Sequence, residues 1–148
     1  MTIDYRLTLA GDVPLEDVAG VVAPEAVERQ PLAGYQRLLV ADLHERCGYG
    51  VSILAGRHGY YDAEGDEGFH WEWELEAYVN VVFRLSKDQP TDRATSNVVT
   101  AVARVLASRA EDAALVLNGN WLLLTRMGGT LRKHRPTWWN TYGVDGLI

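Results

Sequence analysis

The sequence predicts an α+β fold, in which a mainly antiparallel sheet carries two helices on one face and ends in a three-stranded meander. Two segments, Pro14–Val22 and Pro90–Arg109, each show a single apolar stripe at helical spacing. A third segment, Ala113–His134, consists of apolar runs separated by Asn118-Gly119 and Gly128-Gly129. Both dipeptides accept the positive φ angles of tight hairpin turns, so this segment predicts the meander.

The N-terminal part of the chain predicts one strand, one helix and one loop. Apolar and polar residues alternate over Ile3–Leu9, which is typical of a strand with one buried face. Pro14 suits the first turn of the Pro14–Val22 helix. The segment Glu25–Gln36 contains two residues that favour turns, Pro31 and Gly34, and is predicted to be a connecting loop.

The middle of the chain predicts further strands around a glycine-rich loop. Leu38–Arg46 and Gly50–Ala55 show alternating patterns, and residues 69–74 alternate aromatic with polar side chains. Tyr78–Leu85 is rich in β-branched and aromatic residues and predicts a strand buried on both faces. Between these strands, Gly56–Gly68 contains four glycines and predicts a loop or irregular hairpin.

The C-terminal part of the chain contains the long helix, the meander and a tail. Asn118-Gly119 predicts a two-residue type I′ turn with positive φ at both residues. The tail, residues 135–148, is expected to lie over the domain without forming a regular element. A length of 148 residues suits one domain, so we assign residues 1–148 to a single α+β domain.

Composition restricts the classes of function. A net charge of -6 and a pI of about 5.1 argue against a nucleic-acid binder that relies on phosphate contacts. One cysteine, Cys47, cannot form an internal disulfide, which is typical of a reducing compartment. The N-terminus lacks a signal-peptide pattern, and no apolar run approaches the roughly 20 residues that span a bilayer. We therefore expect a cytoplasmic protein that binds neither nucleic acid nor membrane.

Common catalytic motifs are absent from the sequence. It contains no Cys-x-x-Cys, His-Glu-x-x-His, Gly-x-Ser-x-Gly or phosphate-binding glycine loop. Cys47 could act as a nucleophile with His44 or His58, but a lone thiol near a turn is more often structural. We accordingly predict a protein that is not an enzyme and needs no cofactor.

The span of residues 58–83 is strongly acidic and contains no Lys or Arg. Its seven carboxylates are Asp62, Glu64, Asp66, Glu67, Glu72, Glu74 and Glu76. His70, Glu72 and Glu74 would share one face of a strand, where they could bind a metal or act as acid and base. The simpler interpretation is a solvated face opposite buried aromatic residues. A third interpretation is a docking surface, since clustered charge steers the association of a basic partner.

Aromatic and basic residues add a second candidate surface. Trp71, Trp73 and Trp121 lie in strand patterns and are expected in the core. Trp138 and Trp139 are adjacent, so an extended tail would leave one of them exposed as a partner contact. The basic run 132–135 could bind single-stranded nucleic acid beside these aromatic residues, but we favour a charged final strand that discourages edge-to-edge pairing of sheets.

Three segments together resemble a known family. They are Ile3–Leu7, Trp71–Glu74 and, above all, Asp112–Leu124, in this order and spacing. The chain resembles the SitI-type immunity proteins, which are the partners of Sit toxins exchanged between myxobacterial kin and have many actinobacterial relatives. The resemblance implies a small cytoplasmic protein that binds and neutralises a cognate toxin, and it supplies no catalytic residues.

Three hypotheses of different classes follow. The first is a cytoplasmic immunity protein that neutralises a cognate toxin by direct stoichiometric binding. The second is a small-molecule-binding module that uses a Trp-lined concavity of the sheet. The third is a small metal-dependent enzyme built on His70, Glu72 and Glu74. The oligomeric state stays open. For the first hypothesis the candidate partner-binding residues are Asp62, Glu64, Asp66, Glu67, Glu72, Glu74, Trp138 and Trp139.

Overall fold

The fold combines one large antiparallel sheet with helices, as the sequence predicts. A computed structural model of the protein describes residues 2–86 and 91–148. The strands in these residues are β1 (Thr2–Ala10), β2 (Val27–Arg29), β3 (Tyr35–Leu43), β4 (Tyr49–Glu64), β5 (His70–Ser86), β6 (Ala113–Leu117), β7 (Trp121–Met127) and β8 (Thr130–Lys133). The helices are α1 (Leu15–Val22), α2 (His44–Cys47), α3 (Thr91–Ser108) and α4 (Pro136–Tyr142), with 3-10 turns at Asp66–Gly68 and Asp145–Leu147.

The strands form one eight-stranded sheet in the order β2-β3-β4-β5-β1-β6-β7-β8. Every neighbouring pair in this order is antiparallel. One further bridge, between Glu64 of β4 and Trp121 of β7, is parallel. Because of this bridge, β4, β5, β1, β6 and β7 form a closed circuit. The far end of the β4–β5 hairpin is thereby attached to the meander.

The main core lies between the sheet and the apolar faces of the helices. Alternate residues of β1, including Tyr5, Leu7 and Leu9, enter this core, and so do the stripes of α1 and α3. Val98 and Val102 of α3 are fully buried. Burying a side chain of this size stabilises a fold by about 1.5–3 kcal/mol, so the stripe determines how α3 packs. The two predicted helices are confirmed, although Pro90 lies outside the described residues. No helix in the described residues has the length and apolar character needed to cross a membrane.

Of the two alternatives predicted for Gly56–Gly68, a loop or an irregular hairpin, the structure shows the hairpin. β4 continues to Glu64 and β5 begins at His70, so most of this segment is an extended hairpin. Its glycines serve close packing, because the Tyr78 ring crosses the backbone of Gly56 and Gly59. A Cβ atom on Gly56 would lie only 2.5 Å from Tyr78 Cζ, and one on Gly59 would lie 2.6 Å from Tyr78 Cε1. Glycine inside a strand often marks such an approach.

Three elements differ from the predictions. A short strand, β2, lies within the predicted loop Glu25–Gln36, and the end of predicted strand Leu38–Arg46 forms α2. The tail, residues 135–148, is not irregular, because it contains α4. Pro136 occupies the first turn of α4, where its fixed φ is favourable, and Gly143 ends the helix at φ 63°. These two residues explain where the helix begins and ends.

The predicted turn at Asn118-Gly119 has the expected backbone. Asn118 and Gly119 have φ angles of 51° and 78°. The N–H of Asn120 donates to the C=O of Leu117 at 3.2 Å and closes a four-residue turn. The hairpin loop contains three residues rather than two, because Leu117 pairs with Trp121. A register shift in β6 and β7 next to this turn accommodates the additional residue.

Candidate partner-binding surface

The β4–β5 hairpin extends well beyond the strands that flank it and carries most of the predicted site residues. We call residues 58–76 the hairpin arm. In the arm, Asp62 pairs with Glu72, Tyr60 with Glu74, and Glu64 with His70. Directly paired residues of antiparallel strands point to the same face. The pairing therefore brings four predicted carboxylates onto one face, and they are Asp62, Glu64, Glu72 and Glu74.

This acidic face of the arm is open to solvent. Its four carboxylates are all exposed, and the side chains of Asp62 and Glu72 have 58% and 60% of their surface accessible. His70 lies between these two side chains, with Nε2 3.5 Å from Glu72 Oε1 and 3.9 Å from Asp62 Oδ2. The docking-surface interpretation of the acidic span has a physical basis here, since the charges are grouped and accessible.

Tyr60 is a member of this face that the sequence predictions missed. It is 53% exposed, and its hydroxyl donates to Glu72 Oε1 at 2.7 Å. This hydrogen bond lowers the pKa of Glu72 and is the main reason why the pKa of Tyr60 is raised to about 12. Tyr60 thus stays protonated and Glu72 ionised near neutral pH. Tyrosine is enriched at protein interfaces, so the exposed and oriented Tyr60 is a candidate contact residue.

The proposed metal-binding trio is not assembled as a ligand set. In residues 2–86 and 91–148, no group of three or more His, Cys, Asp or Glu side chains has an arrangement that could hold a metal ion. His70 instead contacts Asp62 and Glu72, both at distances of 3.5 Å or more. Zinc–ligand distances are about 2.0–2.3 Å. The arrangement of these side chains is that of a solvated ionic cluster.

The opposite face of the arm packs on a second, small apolar cluster. Ala63 joins Ala114, Val116 and Leu122 in this cluster, which is separate from the main core. Trp71 and Trp73 lie against it with their ring centroids 5.6 Å apart. Both are only partly buried, so their predicted place in the core is half correct. The aromatic side chains of the arm thereby hold its acidic face outward.

Trp121 is not a core residue, contrary to the prediction. It is 43% exposed because β7 begins there, directly after the turn and beside the end of the arm. The guanidinium carbon of Arg135 lies 4.2 Å from the centroid of its ring. Phe69, which is also 43% exposed, stacks on His134 with a centroid distance of 5.9 Å. Exposed aromatic residues therefore surround the tip of the arm.

Residues of the basic run 132–135 contact the tip of the arm. The side chain of Arg135 donates to the C=O of Glu64 at 2.9 Å, and its backbone N–H donates to the Asp66 carboxylate. Arg132 lies over the Phe69 ring at 5.8 Å. The acidic span therefore has cations nearby that come from a distant part of the sequence. Asp66 holds the chain at the tip, whereas Glu67 is exposed.

Trp138 and Trp139 are not exposed contacts. They are 7% and 1% accessible, and both belong to the main core. The prediction assumed an extended tail, but in α4 neighbouring side chains are separated by about 100° and can both face a core. Trp139 Nε1 also donates to the C=O groups of Leu123 and His134, at 3.1 and 2.9 Å. These two residues therefore stabilise the fold. The tryptophan exposed in this region is Trp121.

Comparison with known proteins gives one family match. The model of a family described as SitI3-like matches residues 3–143, which is nearly the whole chain. No curated protein and no solved structure gives a significant match.

Proposed function

The chain belongs to the SitI3-like family, and from this membership we propose that it is an immunity protein that neutralises a cognate toxin by direct, stoichiometric binding. The family match is the observation that carries the proposal, since the name of the family points to immunity proteins. The proposal places the protein in the cytoplasm, where a single free cysteine is compatible with reducing conditions. Neutralisation requires no catalytic step, only a surface that occupies the toxin.

The acidic face of the hairpin arm is the surface that we assign to toxin binding. Many toxins that act on nucleic acids need a basic cleft, and exposed carboxylates on the arm are complementary to such a cleft. Of the residues predicted to bind the partner, we keep the four carboxylates of this face and Glu67, all of which are exposed. Complementary charge accelerates association, and its effect weakens as salt screens it.

The arm is suited to binding because it is anchored at both ends. Its base continues into β4 and β5, and its tip is held by the Glu64–Trp121 bridge and by Arg135. A surface that is ordered before binding loses less conformational entropy when the complex forms. Exposed aromatic side chains such as Tyr60 provide apolar surface among the charges, which a bound partner can bury. The arm thus combines charge, aromatic area and a fixed shape.

The test is co-expression with the toxin encoded beside the gene of this protein. We expect co-expression to restore growth, and the two purified proteins to form a one-to-one complex by light scattering. A catalytic mechanism would instead protect at substoichiometric amounts, so titration of toxin activity against added protein separates the two. Absence of both protection and complex would show that the proposal is wrong.

A further inference from the structure

A groove lies where the tip of the hairpin arm meets α4. It has a volume of about 610 Å³. Its lining combines aromatic side chains, Trp121, Trp138 and Tyr142, with the charged residues Glu67 and Arg135. Since the acidic face of the arm ends at the same tip, the groove continues the surface that we assign to the toxin.

Trp121 is the accessible aromatic residue of this groove. Trp138 is buried and contributes part of the lining, whereas Trp121 keeps 43% of its surface accessible. Tryptophan is among the residues most enriched at the energetic centres of protein interfaces. An accessible indole beside an open groove gives a partner side chain a flat apolar surface next to a recess.

The groove already accommodates a cation of this chain. The guanidinium of Arg135 lies over Trp121, and the same group donates to the C=O of Glu64. Tryptophan is the best cation–π acceptor among the side chains. The Asp66 carboxylate is occupied by the backbone N–H of Arg135, whereas the exposed Glu67 lines the groove. Glu67 is therefore the lining carboxylate that can pair with a cationic group of a partner and offset repulsion from Arg135.

Two lining residues have an unusual backbone. Glu67 and Arg135 have φ angles of 51° and 57°, in the left-handed region that side chains other than glycine rarely adopt. Surrounding contacts maintain this conformation, and such residues are enriched at binding sites. Here the left-handed backbone at Arg135 directs the chain from β8 into α4 and forms one wall of the groove.

We propose that this groove binds a cationic side chain of the toxin, Arg or Lys, whose apolar stem packs on Trp121. The inference rests on the proposed function and adds an anchor to it. Continuity with the acidic face, the indole and the Glu67 carboxylate select this occupant. The acidic face accelerates association, whereas the groove slows dissociation of the complex.

Substitution of Trp121 tests the anchor, with binding to the toxin encoded beside this gene measured by surface plasmon resonance. We expect Trp121→Ala to dissociate about tenfold faster or more while its association rate stays nearly unchanged. Trp121→Phe should keep most of the affinity because it retains a ring. Glu67→Gln should also dissociate faster, and this isosteric change leaves the fold intact. Leu32→Ala is the matched control, since Leu32 is 59% exposed and outside the groove.

The possible outcomes separate the two proposals. If the unmodified protein binds the toxin and both Trp121→Ala and Glu67→Gln dissociate at its rate, the groove assignment is wrong and the proposed function stands. If the unmodified protein does not bind, the proposed function fails and the anchor fails with it. Urea unfolding of each variant identifies any loss of binding that results from loss of the fold.

Discussion

Glu64 and Trp121 pair in parallel, and this single bridge joins the end of β4 to the start of β7. The two strands are not neighbours in the order of the sheet. Arg135 stabilises the contact between these two strands, because it lies over the Trp121 ring and donates to the C=O of Glu64. The position of the hairpin arm therefore depends on contacts made by the C-terminal part of the chain.

The first prediction concerns Arg135. Replacement by Ala removes the contacts to Trp121 and Glu64, and we expect the free energy of unfolding to fall by about 1–2 kcal/mol. Arg135→Gly removes the same contacts but relieves the left-handed backbone, which costs other residues roughly 1 kcal/mol. Urea unfolding should therefore rank the unmodified protein first, Arg135→Gly second and Arg135→Ala last. Equal stability of Arg135→Ala and the unmodified protein would show that the contacts of Arg135 with Trp121 and Glu64 do not stabilise the fold.

The second prediction concerns Gly119 in the meander turn. Its φ of 78° is strained for a β-branched residue, and nothing lies within 4 Å of an added Cβ, so only the backbone is affected. We expect Gly119→Val to lower the free energy of unfolding by about 1 kcal/mol or more. Gly20→Ala is the contrasting control, because Gly20 lies inside α1 with open space around it. That change should stabilise the protein by up to about 1 kcal/mol. Thermal unfolding of both variants checks these opposite signs.

The third prediction concerns pH and His134. Burial chiefly lowers the pKa of His134 below the ordinary value of 6.5, Arg132 lowers it further and Asp66 opposes this. The unfolded chain therefore takes up a proton at a higher pH than the folded protein does. The part of the free energy of unfolding that depends on neutral His134 is fully present above about pH 6.5. It is lost as the pH falls from there toward the pKa of His134 in the folded protein. The surroundings of His134 explain its lowered pKa, because it is 2% accessible and its Nδ1 has no hydrogen-bond partner among the described residues.

His134→Gln tests this prediction, because an amide can keep the contact that Nε2 makes with Thr125 Oγ1 at 3.4 Å. We expect the variant to lose less stability than the unmodified protein between about pH 6.5 and 5. Urea unfolding at several pH values measures the difference. The same slope in both proteins would show that other groups cause the acid sensitivity.

Local patterns predicted the elements whose signals are local. The alternation of β1, the stripes of α1 and α3, and the turn dipeptides of the meander each lie within one short segment, so the fold class followed from them. Gly56 and Gly59 show where this reasoning ends. A glycine marks a loop and a close ring contact equally well, and only the position of Tyr78 across the hairpin decides between them.

The candidate surface was predicted in part for the same reason. The shared face of His70, Glu72 and Glu74 followed from strand alternation, whereas Asp62 and Glu64 join that face only through the pairing of β4 with β5. The approach of Arg135 to Glu64 depends on pairing between distant segments, which no local pattern reveals. Burial of Trp138 and Trp139 was predictable, since Pro136 and Gly143 bracket a segment of helical length. Proline near the start and glycine after the end of a segment are a helix signal that the sequence itself contains.

The last prediction concerns the acidic face and the rate of toxin binding. We replace its carboxylates together by Ser, in the variant Asp62→Ser, Glu64→Ser, Glu72→Ser and Glu74→Ser. Loss of four complementary charges should slow association by about tenfold or more at low salt and flatten the dependence of the association rate on salt. Dissociation should change less, because it depends mainly on the packed anchor contacts.

A charge-matched control separates this local effect from net charge. It replaces four exposed carboxylates outside the arm by Ser, namely Glu16, Asp17, Glu28 and Glu45. Three of these take part in exposed ion pairs, whose loss costs at most about 1 kcal/mol. Both variants have the same net charge, so long-range attraction to a basic toxin is reduced equally. Slower association confined to the arm variant assigns binding to the acidic face, and equal slowing in both would show that this surface has no special role.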